Sequence, residues 1–333
     1  MHRILVAVVI ALLTLIPGVP AYAAPGDPPP GTPPESRIWA KYLEVEDTAL
    51  LGAPTSGEFC GLTDGGCGMR FEHGLILWSP ATDAHFLRGA VLEHYAVNGW
   101  EAGHLGYPTS DEQCWIVGGC FQTFTSGSIY WSPGTGAHFI RGAIREQWGQ
   151  QGWEAGHLGY PTSVEFCGLR ADGCFQRFQG GSIYWSPGTG AQFVKGAIRD
   201  RWGSLGWESL RTPAGPPQGI REIWHAQWGH DLGYPTSGEY CGLIRGGCFQ
   251  NFERGRIYFS PATGAHPVTP SANGGYWTHE GAERSRFGYP VEEEHCIGYP
   301  DSEWMCLQRF ENGEELSDYP GHYDENSDPI WAW

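Results

Sequence analysis

Residues 158–207 read LGYPTSVEFCGLRADGCFQRFQGGSIYWSPGTGAQFVKGAIRDRWGSLGW, and most of the chain is that sentence with variations. Its opening tetrad, Leu-Gly-aromatic-Pro, recurs at Leu105 to Pro108 and Leu232 to Pro235, and with Phe in place of Leu at Phe287 to Pro290. A first copy, Leu51 to Pro54, holds Ala53 in the aromatic slot. Repeats therefore start near 51, 105, 158, 232 and 287. A period of about fifty residues is settled before any single residue is interpreted, because it determines the architecture. The one long interval resolves if Leu210-Arg211-Thr212-Pro213 is a decayed tetrad, which makes residues 208–229 an insertion from a repeat that lost its strands.

Each repeat splits into two halves. From the tetrad through Ile183-Tyr184-Trp185, short aromatic, β-favouring runs alternate with Gly, Pro and Ser-Pro punctuation, which predicts hairpins. Gly196 to Trp202 predicts a short helical turn. Ser36 to Leu50 resembles such a helical half but precedes the first tetrad, while the last repeat ends without one. A ring in which the front segment completes the last unit accounts for that count. The expected fold is all-β: a closed five-bladed β-propeller over residues 37–333 built from ~53-residue repeats, with an open repeat array as the alternative.

Residues 1–23 have the form of an export signal, with Arg3, an apolar run from Ile4 to Ile16 and Ala21-Tyr22-Ala23 before the cut. The apolar run is short of the ~20 residues that span a bilayer, so no membrane span is expected. Residues 24–36 are a Pro-rich linker expected to tether the domain without joining it. The net charge of −17 becomes about −18 once Arg3 is removed, which disfavours nucleic acid and anionic lipid as partners. The ten cysteines fall into one pair per repeat: Cys60/Cys67, Cys114/Cys120, Cys167/Cys174, Cys241/Cys248 and Cys296/Cys306. In an exported chain without CxxC spacing these are disulfides, each worth roughly 2.5 kcal/mol on the chain-entropy estimate.

LGYPTS, CFQRFxGGSIYWSPGTGAHF, GAIRxxW and GWEAGHLGYP together resemble the LGFP repeat family of actinobacterial envelope proteins. That resemblance implies a secreted or wall-associated module that engages arabinogalactan or peptidoglycan. The chain departs from the family pattern in carrying a Cys pair in every repeat and no attached catalytic domain.

Trp78, Trp131, Trp185 and Phe259, before Ser-Pro, occupy one blade position and suit a core. Trp100, Trp153 and Trp207 each precede Glu101, Glu154 and Glu208 in a Gly-rich connection. A ring beside a carboxylate stacks on a sugar and accepts its hydroxyl protons, so these six are the candidate glycan-binding residues, with a Trp lid packed over the hairpin as the plainer role. His85, His138 and His266 share one slot, with Gln192 in the third repeat, and are weak metal candidates; a local hydrogen bond suits them better. No GxSxG, HExxH or phosphate loop occurs. The expectation is a non-catalytic, monomeric, multivalent glycan binder with no cofactor. A secreted glycan or ester hydrolase and an envelope protein-binding scaffold are the alternatives.

Overall fold

A computed structural model describes residues 27–45, 47–208, 232–270, 272–298 and 304–318. The export signal, residues 24–26 of the linker and residues 209–229 of the insertion lie outside them. The chain divides into two compact units at Arg88/Gly89.

Each hairpin half folds as one antiparallel sheet whose strands pair in chain order. The first unit holds β1 (Phe59–Cys60), β2 (Cys67–Arg70), β3 (Gly74–Ser79) and β4 (Asp83–Arg88). The second unit holds β5 (Cys120–Phe124), β6 (Gly127–Ser132) and β7 (Gly136–Ile140) as its first sheet. β8 (Phe166–Cys167), β9 (Cys174–Phe178), β10 (Gly181–Ser186) and β11 (Gly190–Val194) make the next. β12 (Pro235–Cys241), β13 (Cys248–Phe252), β14 (Gly255–Ser260) and β15 (Gly264–Val268) follow, and β16 (His295–Gly298), β17 (Trp304–Arg309) and β18 (Glu315–Asp318) come last. The period-two pattern sets the faces. In β9, Cys174, Gln176 and Phe178 are buried on one face, while Phe175 and Arg177 point to the other. The Ser-Pro punctuation is a hydroxyl-closed turn, in which Thr189 N–H donates to Ser186 Oγ at 3.2 Å.

Three disulfides close between neighbouring strands, Cys60–Cys67, Cys167–Cys174 and Cys241–Cys248, and Cys114–Cys120 ties β5 to the segment before it. Cys306, opposite Cys296 in the β16–β17 register, is disulfide-bonded as well.

Among the described residues five helices accompany the five sheets: α1 (Arg37–Glu44), α2 (Gly89–Val97), α3 (Gly142–Gln150), α4 (Gly196–Ser204) and α5 (Ala272–His279). Each of these five helices packs on the sheet that follows it in sequence. In the first unit α1 lies on β3 and β4, and its Ile38 is buried with Leu51, Met69, Phe71 and Ile76. The packing unit is thus a helix followed by its sheet, half a period ahead of the tetrad, and α1 serves the first sheet. The half-unit count does not by itself call for a ring, because among the described residues each sheet already has its own helix. The fold is all-β with short helices, and no closed barrel or propeller is detected among the described residues.

The described part of the Pro-rich linker belongs to the first unit. Pro29 is buried, and a Cβ on Gly57 would lie 2.5 Å from the Pro30 carbonyl oxygen. Ser36 caps α1, accepting from Trp39 N–H at 3.0 Å, and donates to Glu58.

Within the second unit, consecutive repeats share cores. Tyr184 of β10 packs with Ile198 and Trp202 of α4 and with Leu232, Tyr234 and Ile257 of the next repeat. A glutamine and a tyrosine recur as side chains that hydrogen-bond across these boundaries. Gln176 Nε2 donates to Phe139 O of the preceding sheet and to Ser163 O of its own, both at 2.8 Å. Gln250 and Gln308 do the same, to Phe193 O and Ser237 O and to Pro267 O and Glu292 O. The tetrad hydroxyls of Tyr160, Tyr234 and Tyr289 donate backwards to Val117 O, Arg170 O and Ile244 O at 2.7, 2.6 and 2.7 Å. The tetrad Tyr thus docks on the preceding repeat.

Candidate functional site

The Trp-Glu connections leave each helix through a left-handed Gly followed by a left-handed Trp: φ is 91° at Gly99 and Gly152 and 105° at Gly206, then 58°, 57° and 61° at Trp100, Trp153 and Trp207. A bulky residue rarely takes this conformation. Ala282 takes it too, at φ 52°, so the connection imposes it whatever the side chain.

Trp153 and Trp207 lie down on their helices. A Cβ on Gly149 or Gly203 would sit 2.6 Å from the indole in each case. Trp148 and Trp202 meet these rings edge to face at 5.3 Å. The Arg145 and Arg199 guanidinium groups stand over them at 5.1 and 5.4 Å from the centroids. Each Arg also donates through Nε to a serine of the preceding sheet, Ser128 at 3.2 Å and Ser182 at 3.1 Å. Trp100 differs, because Ala96 and Leu92 replace the glycine and the arginine; its ring is 41% exposed.

The three glutamates are not equivalent. Glu101 and Glu154 are half-buried, whereas Glu208 is buried, and burial raises its carboxyl above the ordinary range against the pull of Arg170. Burial also pushes Tyr130 up to about 12, with Arg145 opposing and Glu154 adding to it. Aromatic, guanidinium, phenol and carboxylate therefore meet in the second unit, but packed together between repeats.

The shared His slot closes a turn. His85, His138 and His266 place Nε2 at 3.0, 2.9 and 2.8 Å from the carbonyl oxygens of Thr82, Thr135 and Thr263, and Gln192 donates to Thr189 O at 3.4 Å. Among the described residues the groups with metal-like spacing are Glu58, Glu112, Glu165 and Glu239, each beside its repeat's disulfide. Sulfurs bound to each other offer no thiolate to a metal.

A row of stacked rings, not among the candidates read from sequence, crosses three of the sheets. In the β8–β11 sheet Phe166, Phe175 and Tyr184 stack at 5.3 and 5.1 Å with interplanar angles of 22° and 13°. In the β12–β15 sheet Tyr240, Phe249 and Tyr258 repeat this at 5.0 and 5.3 Å. In the β5–β7 sheet Phe121 stacks on Tyr130 at 5.2 Å and Trp115 meets Phe121 edge-on at 5.8 Å. The inner Tyr of each row is buried under the following helix, and the outer ring emerges beside the disulfide: Trp115 is 76% exposed, Phe166 45% and Tyr240 52%. Phe59, half-buried, holds the same place in the first unit. The signal is present in the sequence as the aromatic flanking the first Cys of the first four repeats.

A family model described as LGFP repeat matches residues 51–103, 105–156, 158–209 and 232–285. The chain belongs to the LGFP repeat family. The matched LGFP segments open on the tetrads, so sequence similarity is counted half a period out of step with the helix–sheet packing units. No curated protein matches the chain. Among solved structures, a hemopexin fold protein CP4 from cow pea is similar at 11% identity over 64% of this chain and 88% of that one, with a TM-score of 0.16. No helix of the described residues is long and apolar enough to cross a membrane. Disulfides in an LGFP repeat protein fit an extracellular setting.

Proposed function

We propose that this LGFP repeat protein is a secreted, non-catalytic binder of cell-wall polysaccharide that engages its glycan at several equivalent places. The observation that carries this reading is the outer ring of the aromatic row, presented to solvent beside the disulfide in successive sheets. An exposed ring with a fixed plane stacks on the apolar face of a sugar at little entropic cost, and the rows behind it hold that plane. One such contact is weak. Linked contacts raise avidity by roughly 10² to 10⁴ over a single one. The reading does not require the sheets to close into a propeller, since each platform is complete within one sheet.

The platforms proposed are Phe59, Trp115, Phe166 and Tyr240, with Trp100 as the exposed member of the Trp-Glu set. Retention on purified wall polysaccharide, measured against albumin, tests the proposal. Wild type is expected to be retained, and a Trp115→Ala, Phe166→Ala, Tyr240→Ala triple variant to wash through while keeping its melting temperature within a few degrees. Wild-type retention no better than albumin rejects the reading.

A further inference from the structure

The basic residues narrow the chemistry of the glycan. The chain has 20 Lys and Arg against 37 Asp and Glu, and cations at repeat boundaries are taken up by carboxylates: Arg141 by Glu165, Lys195 by Glu239, Arg170 by Glu253 and Arg245 by Glu311. Arg70 and Arg177 are exposed, and no carboxylate among the described residues lies within 4.0 Å of either. Both stand instead on the aromatic rows. The Arg177 guanidinium is 5.5 Å from the Phe175 centroid, one ring inward of exposed Phe166. Arg70 stands 5.7 Å from Phe59 itself, where Gly68 replaces the middle ring.

The next sheet delivers the same charge from a different strand. Arg177 belongs to β9 and faces Ser182 of β10; in the following sheet the β13 partner is Asn251 and the arginine is Arg256 of β14. Arg256 lies 5.7 Å from Phe249, one ring inward of exposed Tyr240. The sequence position changes while the distance of the charge from the middle ring stays within 5.5 to 5.7 Å. A ligand outside the protein senses that location and is indifferent to the strand that supplies it.

We infer that the glycan is anionic: its sugar ring lies on Phe59, Phe166 or Tyr240, and a carboxylate or phosphate on the sugar meets the adjacent guanidinium. Arginine suits this because its planar fork matches both oxyanions. The inference rests on the proposed function and specifies its substrate class.

One neutral glucan, the same glucan carboxymethylated and the same glucan phosphorylated, each immobilised, test it. Retention of the full chain is measured in low and high salt for wild type, Arg70→Gln/Arg177→Gln and Phe166→Ala/Tyr240→Ala. The expected result is at least about tenfold tighter binding to one or both anionic polymers, which identifies carboxylate or phosphate as the group read. That advantage shrinks several-fold in the arginine variant, which keeps Arg256 and whose melting temperature stays at the wild-type value, and binding also falls in the aromatic variant. A protein of net charge −17 has no general affinity for polyanions, so retention there is specific. Equal binding to the neutral and anionic glucans, untouched by the arginine substitutions, overturns the inference and leaves the glycan reading standing. Anionic binding that survives loss of both aromatic rings overturns it as well. Retention on none of the three, nor on wall polysaccharide, brings down the proposed function itself.

Discussion

The first and third repeats build the same four-stranded sheet, yet they differ at three positions that in the third join one repeat to another. The third carries Tyr160 in its tetrad, Gln176 in its second strand and Trp148 on its helix; the first carries Ala53, Met69 and Tyr42. Tyr160 and Gln176 reach carbonyls of the preceding repeat, and Trp148 is buried between Tyr130 of the preceding sheet and Phe178 of its own. In the first unit Met69 is buried among Ile38, Leu51 and Ile76, and the half-buried Tyr42 stacks on Phe71 at 4.7 Å. Gly, Pro, Cys and the alternating apolar residues suffice to make a sheet. A small further set makes sheets adhere in series.

The largest break in this comparison is at the helix. Trp148 is fully buried and its Nε1 donates to Gly159 O at 3.0 Å, while Tyr42 makes the same bond to Gly52 O at 3.0 Å from a half-buried position. Trp148→Ala is expected to cost about 3–5 kcal/mol in urea unfolding, as large-to-small changes in a core do. Tyr42→Ala should cost less than half as much, and equal costs would deny that burial between repeats distinguishes the two. A smaller effect is expected at the glutamine. Gln176→Met, which installs what the first repeat already has, leaves Phe139 O and Ser163 O without a donor but also removes Gln176 Oε1, a buried acceptor with no hydrogen bond. The balance is a loss of about 1–3 kcal/mol, read as a lower denaturation midpoint. Smaller again is Tyr160→Phe, which deletes the 2.7 Å bond to Val117 O and should cost about 1 kcal/mol. A thermal melt of that variant matching wild type would show the ring alone docks the repeat.

Much of this was legible in the chain. The tetrads, the Cys pairs and the Gly-Gly and Ser-Pro turns gave the sheets and the disulfides, because their cues are local and repeat with a fixed period. The helix–sheet frame was not legible. A period fixes what recurs and leaves open where one packing unit ends, and only Ile38 buried against Met69 and Ile76 shows that α1 serves the sheet after it. The docking role of Gln176 was hidden for a related reason, since a buried amide bridging two carbonyls looks in sequence like any polar residue in a strand. At the candidate site, Trp153 and Trp207 were correctly seen as recurrent, but the Gly149 and Gly203 surfaces on which they lie sit on the preceding helix. The exposed rings were missed because Phe166 and Tyr240 precede the first Cys of their repeats whereas Trp115 follows it, so the three do not align.

The smallest expected effect concerns protons. His94 occupies the α2 position that is Gln147 in α3, Arg201 in α4 and Lys41 in α1. Burial first, then His138 and His104, push its pKa from 6.5 down to about 4, and its Nε2 accepts the Phe139 N–H at 3.2 Å, a bond that only the neutral ring makes. As pH falls from 6.5 toward 4 the unfolded chain binds a proton that the folded one refuses, so stability is complete above the upper value and drains away through that window. Below it both states are protonated and the loss stops. His104 and His138 are also held down by burial and add to the slope. Melting temperatures recorded between about pH 7 and pH 4 should therefore fall less steeply for His94→Gln than for wild type without becoming flat. A variant profile parallel to wild type would assign the acid sensitivity to the other two histidines and leave His94 as a neutral packing residue, no different in kind from the glutamine of α3.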